Sequence, residues 1–60
     1  MVTITLDAAD AITLADALKS YLSDLGMEIA DTDNKDFRDG LKARKAALRR
    51  VLDLLETRAA

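Results

Sequence analysis

Apolar residues recur at helical spacing on both sides of one short polar segment. The segment, residues 31–36, reads Asp-Thr-Asp-Asn-Lys-Asp and contains no apolar side chain. Asp and Asn favour such joints because their short side chains bond nearby backbone groups. The pattern predicts an all-α fold, an antiparallel hairpin with helices over about 8–31 and 34–58, and a loose end at Ala59 and Ala60.

The first helix carries an apolar row whose spacing alternates between three and four residues, as in a coiled coil. Its members are Ala8, Ala11, Ala15, Leu18, Leu22, Leu25 and Ile29. Leu14 and Tyr21 widen this row on one flank. Gly26 lies inside it and lowers helix propensity by roughly 1 kcal/mol relative to Ala. We therefore expect a continuing helix with a local distortion at Gly26.

The second helix has a similar row, formed by Phe37, Leu41, Arg44, Leu48, Val51 and Leu55. Ala47, Leu52 and Leu54 flank it. Antiparallel pairing brings Leu25 opposite Leu41 and Leu18 opposite Leu48, with a leucine core also containing Leu22 and Leu55. Two helices cannot cover each other on all sides, so flanking apolar residues would stay partly exposed. The sequence thus predicts oligomerisation, most simply a dimer forming a four-helix bundle.

Arg44 is the one charge on the apolar row of the second helix. An unpaired buried charge costs several kcal/mol, so Arg44 either extends its guanidinium to the edge of the bundle or pairs with a carboxylate, and we favour pairing. Asp24 and Glu28 are the expected acceptors, on this chain or on its partner. Such a pair would fix the register between helices.

Both helices are preceded by residues suited to capping. Asp7 precedes the first helix, with Asp10 three residues later, and Asp33 with Asp36 repeats the arrangement before the second. These acids predict N-caps at Asp7 and Asp33. Residues 1–6 alternate apolar side chains with Thr, which predicts a short extended segment.

Composition limits the chemistry that the chain can perform. Its 60 residues form one domain at most, half of them apolar, with no Cys and no His. Disulfides, thiolate metal sites and histidine catalysis are therefore excluded. Lys19 and Ser23 lie one turn apart, a weak likeness to a catalytic Ser–Lys pair, but catalysis also needs an enclosed site. We expect no enzymatic activity and no cofactor.

The acidic joint resembles a calcium-binding loop only at its start. Asp31 and Asp33 match the first two ligand positions of an EF-hand. Lys35 then occupies the next ligand position, Asp36 replaces the required Gly, and Lys42 stands where the bidentate Glu belongs. Turn and capping chemistry is the favoured interpretation, and we expect no metal.

Charge is divided unevenly along the chain. Residues 1–34 carry seven carboxylates against Lys19 alone, whereas residues 35–60 carry eight basic residues against four acidic ones. An acidic helix and a basic helix suit pairing with each other or with a copy.

The second helix also carries a basic stripe at spacings of four, three and four: Arg38, Lys42, Lys45 and Arg49. The stripe could contact phosphate, face solvent, or pair with an acidic neighbour. No aromatic residue is interleaved with it, and the pI is about 4.8, which argues against nucleic-acid binding. We favour a solvated or ion-paired stripe.

The N-terminus and the apolar runs bear on location. Met-Val-Thr-Ile-Thr-Leu-Asp has neither a basic start nor a long apolar region, so it does not predict a signal peptide. No apolar run approaches the roughly 20 residues that cross a bilayer. We expect a cytoplasmic protein without membrane contact.

Two function classes fit these features. The first is an interaction or structural module that self-associates and could also bind another protein. The second is a ribbon-helix-helix DNA-binding dimer, in which residues of the extended segment enter the major groove. Thr3 and Thr5 alternate there, but the segment has no Lys, Arg, Gln or Asn to read bases, and the first helix is too long. The interaction module is the favoured hypothesis.

Residues 20–38, SYLSDLGMEIADTDNKDFR, together with Leu41-Lys42-Ala43-Arg44, carry a resemblance. They resemble a segment shared by short prokaryotic proteins without assigned function. The matching part covers the joint and the adjoining half of each helix. The resemblance implies a helical hairpin and supplies no activity or functional residue.

Overall fold

The computed structural model describes residues 1–59, with side chains through residue 57, and contains two packed α-helices. Helix α1 spans Ala8–Asp31 and helix α2 spans Lys35–Ala59. The helices run antiparallel and pack against each other, which confirms the predicted all-α architecture. Within this described part, residues 1–7 and 32–34 form neither helix nor strand. The predicted loose end at Ala59 is not observed, since α2 includes this residue, and Ala60 lies outside the described residues.

Helix α1 begins at the predicted cap. Asp7 has extended backbone angles, φ −73° and ψ 170°, and its side-chain oxygen accepts the Asp10 N–H at 2.8 Å. The Asp7 carbonyl accepts the Ala11 N–H at 2.9 Å. The second bond is the first regular bond of the helix, whereas the first satisfies an amide that has no helical partner, so the N-cap prediction at Asp7 is confirmed.

Helix α1 continues without interruption through Gly26, and the expected distortion is absent. A Cβ placed on Gly26 would lie 3.8 Å from the Lys45 Nζ, an ordinary van der Waals distance. The glycine is held in helical conformation because its neighbour Leu25 is fully buried against α2. Packing therefore outweighs the unfavourable propensity of one residue.

Replacing Gly26 by Ala should raise the free energy of unfolding by about 1 kcal/mol, because the helix gains propensity and the new methyl group has room. Urea denaturation followed by circular dichroism measures the change. A destabilised Gly26→Ala variant would mean that Lys45 or its helix lies closer than this geometry allows.

Helix α2 is capped by Asn34 and not by Asp33. The Asn34 Oδ1 accepts the Phe37 N–H at 3.0 Å, and its carbonyl accepts the Arg38 N–H at 2.9 Å. The predicted cap at Asp33 is wrong by one residue, since the helix begins at Lys35. Asp and Asn cap almost equally well, so their identity alone does not choose between adjacent positions.

Replacing Asn34 by Ala should lower the free energy of unfolding by about 1 kcal/mol, because the Phe37 N–H loses its acceptor. Asp33→Ala is the matched control at the neighbouring position and should change stability much less. Thermal or urea unfolding of both variants decides the cap. The reverse order of losses would restore Asp33 as the capping residue.

Residues 32–34 connect the two helices, and we call them the elbow. Arg38 stabilises the elbow through hydrogen bonds. Its Nε donates to the Thr32 carbonyl at 3.0 Å, and a terminal guanidinium nitrogen donates to the same oxygen. Thr32 also donates its hydroxyl to the Glu28 carbonyl at 2.6 Å. The last turn of α1 has no basic residue of its own, so Arg38 supplies the cation that complements its C-terminal dipole.

The core is a short row of aliphatic side chains between the helices. Its buried members are Ala15, Leu22, Leu25, Leu41 and Leu52. Leu18 and Leu48 are half-buried against this row. Of the side chains that the structure describes, only that of Leu25 is completely shielded, at 0% exposure, so the hairpin alone makes a small core.

Helix α2 is rotated relative to the predicted row. Leu52, which was predicted to flank the row, is 3% exposed, whereas Val51, which was predicted to belong to it, is 44% exposed. Phe37 and Arg44 of the same row are exposed as well, whereas Leu41, Leu48 and Leu55, which the two rows share, are buried or half-buried. Turning Leu52 inward buries a larger side chain than turning Val51 inward would, and it brings Arg38 over the elbow. These two gains explain the observed orientation of α2.

Candidate interaction surface

The hairpin is a flat layer with two broad faces. Its Cα trace extends 40 × 24 × 14 Å. Successive side chains of an α-helix point about 100° apart, so a contact between two side chains of different helices shows which residues share a face. Arg44 Nη1 donates to Tyr21 Oη at 3.3 Å along one face, and Lys19 Nζ lies 3.2 Å from Glu56 Oε2 along the other.

The face that contains Tyr21 is predominantly apolar. The two helices expose seven large apolar side chains, and five of them lie on this side. They are Leu14, Tyr21, Phe37, Val51 and Leu54. We call them the apolar face; half-buried Leu18 and Leu48 lie beneath it. Such an uneven distribution is typical of a surface that another molecule covers.

The predicted interface residues divide into three groups. The hairpin itself buries Leu22, Leu25, Leu41 and Leu52. Half-buried are Leu18, Ile29, Leu48 and Leu55. Exposed on the apolar face are Leu14, Tyr21, Phe37 and Val51. The first group forms the core, and the last group is available to a partner.

Arg44 lies at the middle of the apolar face. Within the described residues it forms no ion pair with Asp24 or Glu28, and its side-chain hydrogen bond goes to Tyr21. The intrachain version of the predicted pair is therefore not formed, because α2 turns Arg44 out of the helix interface while Asp24 projects from the outer side of α1. Pairing with a partner's carboxylate stays a prediction.

The opposite face is charged. The four side chains of the predicted basic stripe have separate contacts. Arg38 is bonded to the elbow, the Nζ of Lys45 lies over Gly26, and Arg49 Nε is 3.7 Å from Asp53 Oδ1. Lys42 is exposed. The four side chains thus have different surroundings, and they do not converge on one point where a phosphate would bind.

A shallow groove of about 230 Å³ lies on this charged face, toward the open end of the hairpin. Its lining is Ala11, Ile12, Ala15, Asp16, Lys19, Leu55 and Glu56. Lys19 and Glu56 pair with each other at its edge. The groove is open to solvent, and the only cation among its lining residues is held by the Glu56 carboxylate.

Two further kinds of site, for a metal ion and for a lipid bilayer, are not found in the described part of the chain. Among residues 1–59, no three carboxylates come close enough together to hold a metal ion. Neither α1 nor α2 is both long and apolar enough to traverse a lipid bilayer.

The chain was compared with protein-family models, curated proteins and solved structures. None of the three comparisons finds a match. The resemblance of residues 20–38 to short prokaryotic hairpin proteins therefore stays a prediction.

Proposed function

We propose that this chain is a non-enzymatic self-association module, in which two hairpins join through their apolar faces to form a four-helix bundle. The observation that carries the proposal is the one-sided exposure of Leu14, Tyr21, Phe37, Val51 and Leu54. A second hairpin would bury this set and complete the two-layered packing that helical domains adopt.

The small core of the isolated hairpin supports the same proposal. Among residues 1–57, five side chains are buried, and one of them is an alanine. Removing a large apolar side chain from water stabilises a fold by about 1.5–3 kcal/mol, so covering the apolar face would add substantially to this core. A chain of 60 residues lies near the lower limit at which one core is sufficient.

Sedimentation equilibrium and concentration-dependent thermal unfolding test the proposal. We expect a dimer mass, and a melting temperature that rises with protein concentration, because association stabilises only the folded chain. A monomer mass with a melting temperature independent of concentration would contradict it.

A further inference from the structure

We infer that the two hairpins stack with both elbows at the same end, so that α1 of each lies against α2 of its partner. This inference rests on the proposed self-association and specifies its geometry. Its basis is the charge along the two edges of the apolar face.

Symmetry leaves two ways to stack identical hairpins face to face. A two-fold axis along the helices places α1 on the partner's α2 and brings the elbows together. A two-fold axis across the helices places α1 on the partner's α1 and sends the elbows to opposite ends. Stacked helices are antiparallel in both arrangements, so helix dipoles do not distinguish between them.

Along α1, the edge of the apolar face is acidic. Asp24 lies two heptads after Asp10, and Glu28 lies one heptad after Tyr21. All three acids are exposed, and none of them has an ion-pair partner within residues 1–57. The only basic residue of α1, Lys19, points to the opposite face and pairs with Glu56.

Along α2, the corresponding edge is basic. Arg50 lies at this edge beside Leu54, and Arg44 projects from the apolar face itself; both are exposed, and neither forms an ion pair within the part that the structure describes. Most acids of α2 are already paired: Asp39 with Lys35 at 3.6 Å, Asp53 with Arg49 at 3.7 Å, and Glu56 with Lys19. Within residues 35–57 the unpaired acid is Asp36, in the first turn of the helix.

The same-end arrangement brings these opposite edges together. An axis along the helices preserves height, and Arg44 is level with Tyr21 of its own chain. It is therefore also level with the partner's Tyr21, one helical turn from the partner's Asp24. The opposite-end arrangement would instead set acidic α1 edges against each other, and like charges repel.

Spin labels on single cysteines measure the arrangement directly, because the chain has no cysteine of its own. Asp33→Cys labels the elbow and Thr57→Cys labels the open end; both positions are exposed. Dimer formation is verified by mass in each labelled sample. A helix rises about 1.5 Å per residue, so the two ends of a hairpin lie roughly 35 Å apart.

The same-end dimer predicts short distances, below about 25 Å, for 33–33 and 57–57 pairs, because packed helices lie about 8–10 Å apart. Mixed dimers labelled at 33 on one copy and 57 on the other should then give distances of about 35 Å or more. A short mixed distance with long like-with-like distances would overturn the inference while keeping the dimer. A monomer mass would overturn the proposed function itself.

Charge substitution gives an independent readout with opposite signs for the two arrangements. Asp24→Lys should weaken dimerisation about 3-fold to 10-fold in the same-end dimer, because two symmetric attractions are lost. In the opposite-end dimer the same change would relieve repulsion and strengthen association. Asp16→Lys, on the charged face, alters net charge equally and should have little effect.

Combining Asp24→Lys with Arg44→Glu should restore much of the lost affinity in the same-end dimer, since the pair is reversed rather than broken. Helicity by circular dichroism verifies that each variant keeps its fold. Equal weakening by Asp24→Lys and Asp16→Lys, with no recovery in the double variant, would contradict the stacking of α1 on the partner's α2.

Discussion

Replacing Leu25 by Ala should lower the free energy of unfolding by about 2–5 kcal/mol. The hairpin shields the Leu25 side chain completely, at 0% exposure. Its removal deletes buried apolar surface and leaves a cavity between two helices that have few other contacts to compensate. Small domains are stable by roughly 5–15 kcal/mol, so the substitution would unfold a large part of the population at moderate denaturant.

Met27→Ala provides the matched control, two residues away on the same helix and 65% exposed. Urea unfolding of both variants at one fixed protein concentration should separate them clearly. The sequence places Leu48 in the core, but the structure shows it half-buried. The loss of stability in Leu48→Ala should therefore fall between those of the other two variants. Equal midpoints for Leu25→Ala and Met27→Ala would show that α1 packs through a different side.

Replacing Val51 by Glu should weaken self-association by at least about 100-fold while leaving the helices intact. Val51 is 44% exposed in the hairpin, so a longer polar side chain can be accommodated there. In the proposed dimer the same position would be covered, and burying an unpaired carboxylate costs several kcal/mol. Each 1.4 kcal/mol changes affinity tenfold, and the symmetric dimer contains the substitution twice.

Analytical ultracentrifugation over a wide concentration range measures this loss. Met27→Glu introduces the same side chain on an exposed position outside the apolar face and should leave the dimer unchanged. A Val51→Glu protein that still sediments as a dimer would show that the hairpins associate through another surface.

Periodicity was sufficient to predict two packed helices and the cap at Asp7, because apolar spacing and cap chemistry are local signals. The orientation of α2 was not predictable in the same way. Leu41, Leu48 and Leu55 belong to two overlapping rows, one continuing through Val51 and the other through Leu52. A one-dimensional pattern supports both rows, and only packing against α1 chooses between them.

The cap of α2 and the environment of Arg44 were missed for related reasons. Asp33 and Asn34 are adjacent and chemically similar, so the turn geometry decides which one meets the Phe37 N–H. Arg44 was expected at a helix interface because it belongs to the row through Val51. Once α2 turns Leu52 inward, Arg44 moves to the apolar face and meets Tyr21. Both differences arise from three-dimensional choices between near-equivalent neighbours.

The bond from Arg38 to the Thr32 carbonyl has a consequence for the order of folding. It joins residues only six positions apart, and closing such a short loop takes well under a microsecond. Contacts between distant residues, such as Lys19 with Glu56, require a far longer loop to close. We therefore expect the interhelical contacts to form first at the elbow and then progressively toward the open end. The proposed association of two hairpins would follow as a slower step whose rate depends on protein concentration.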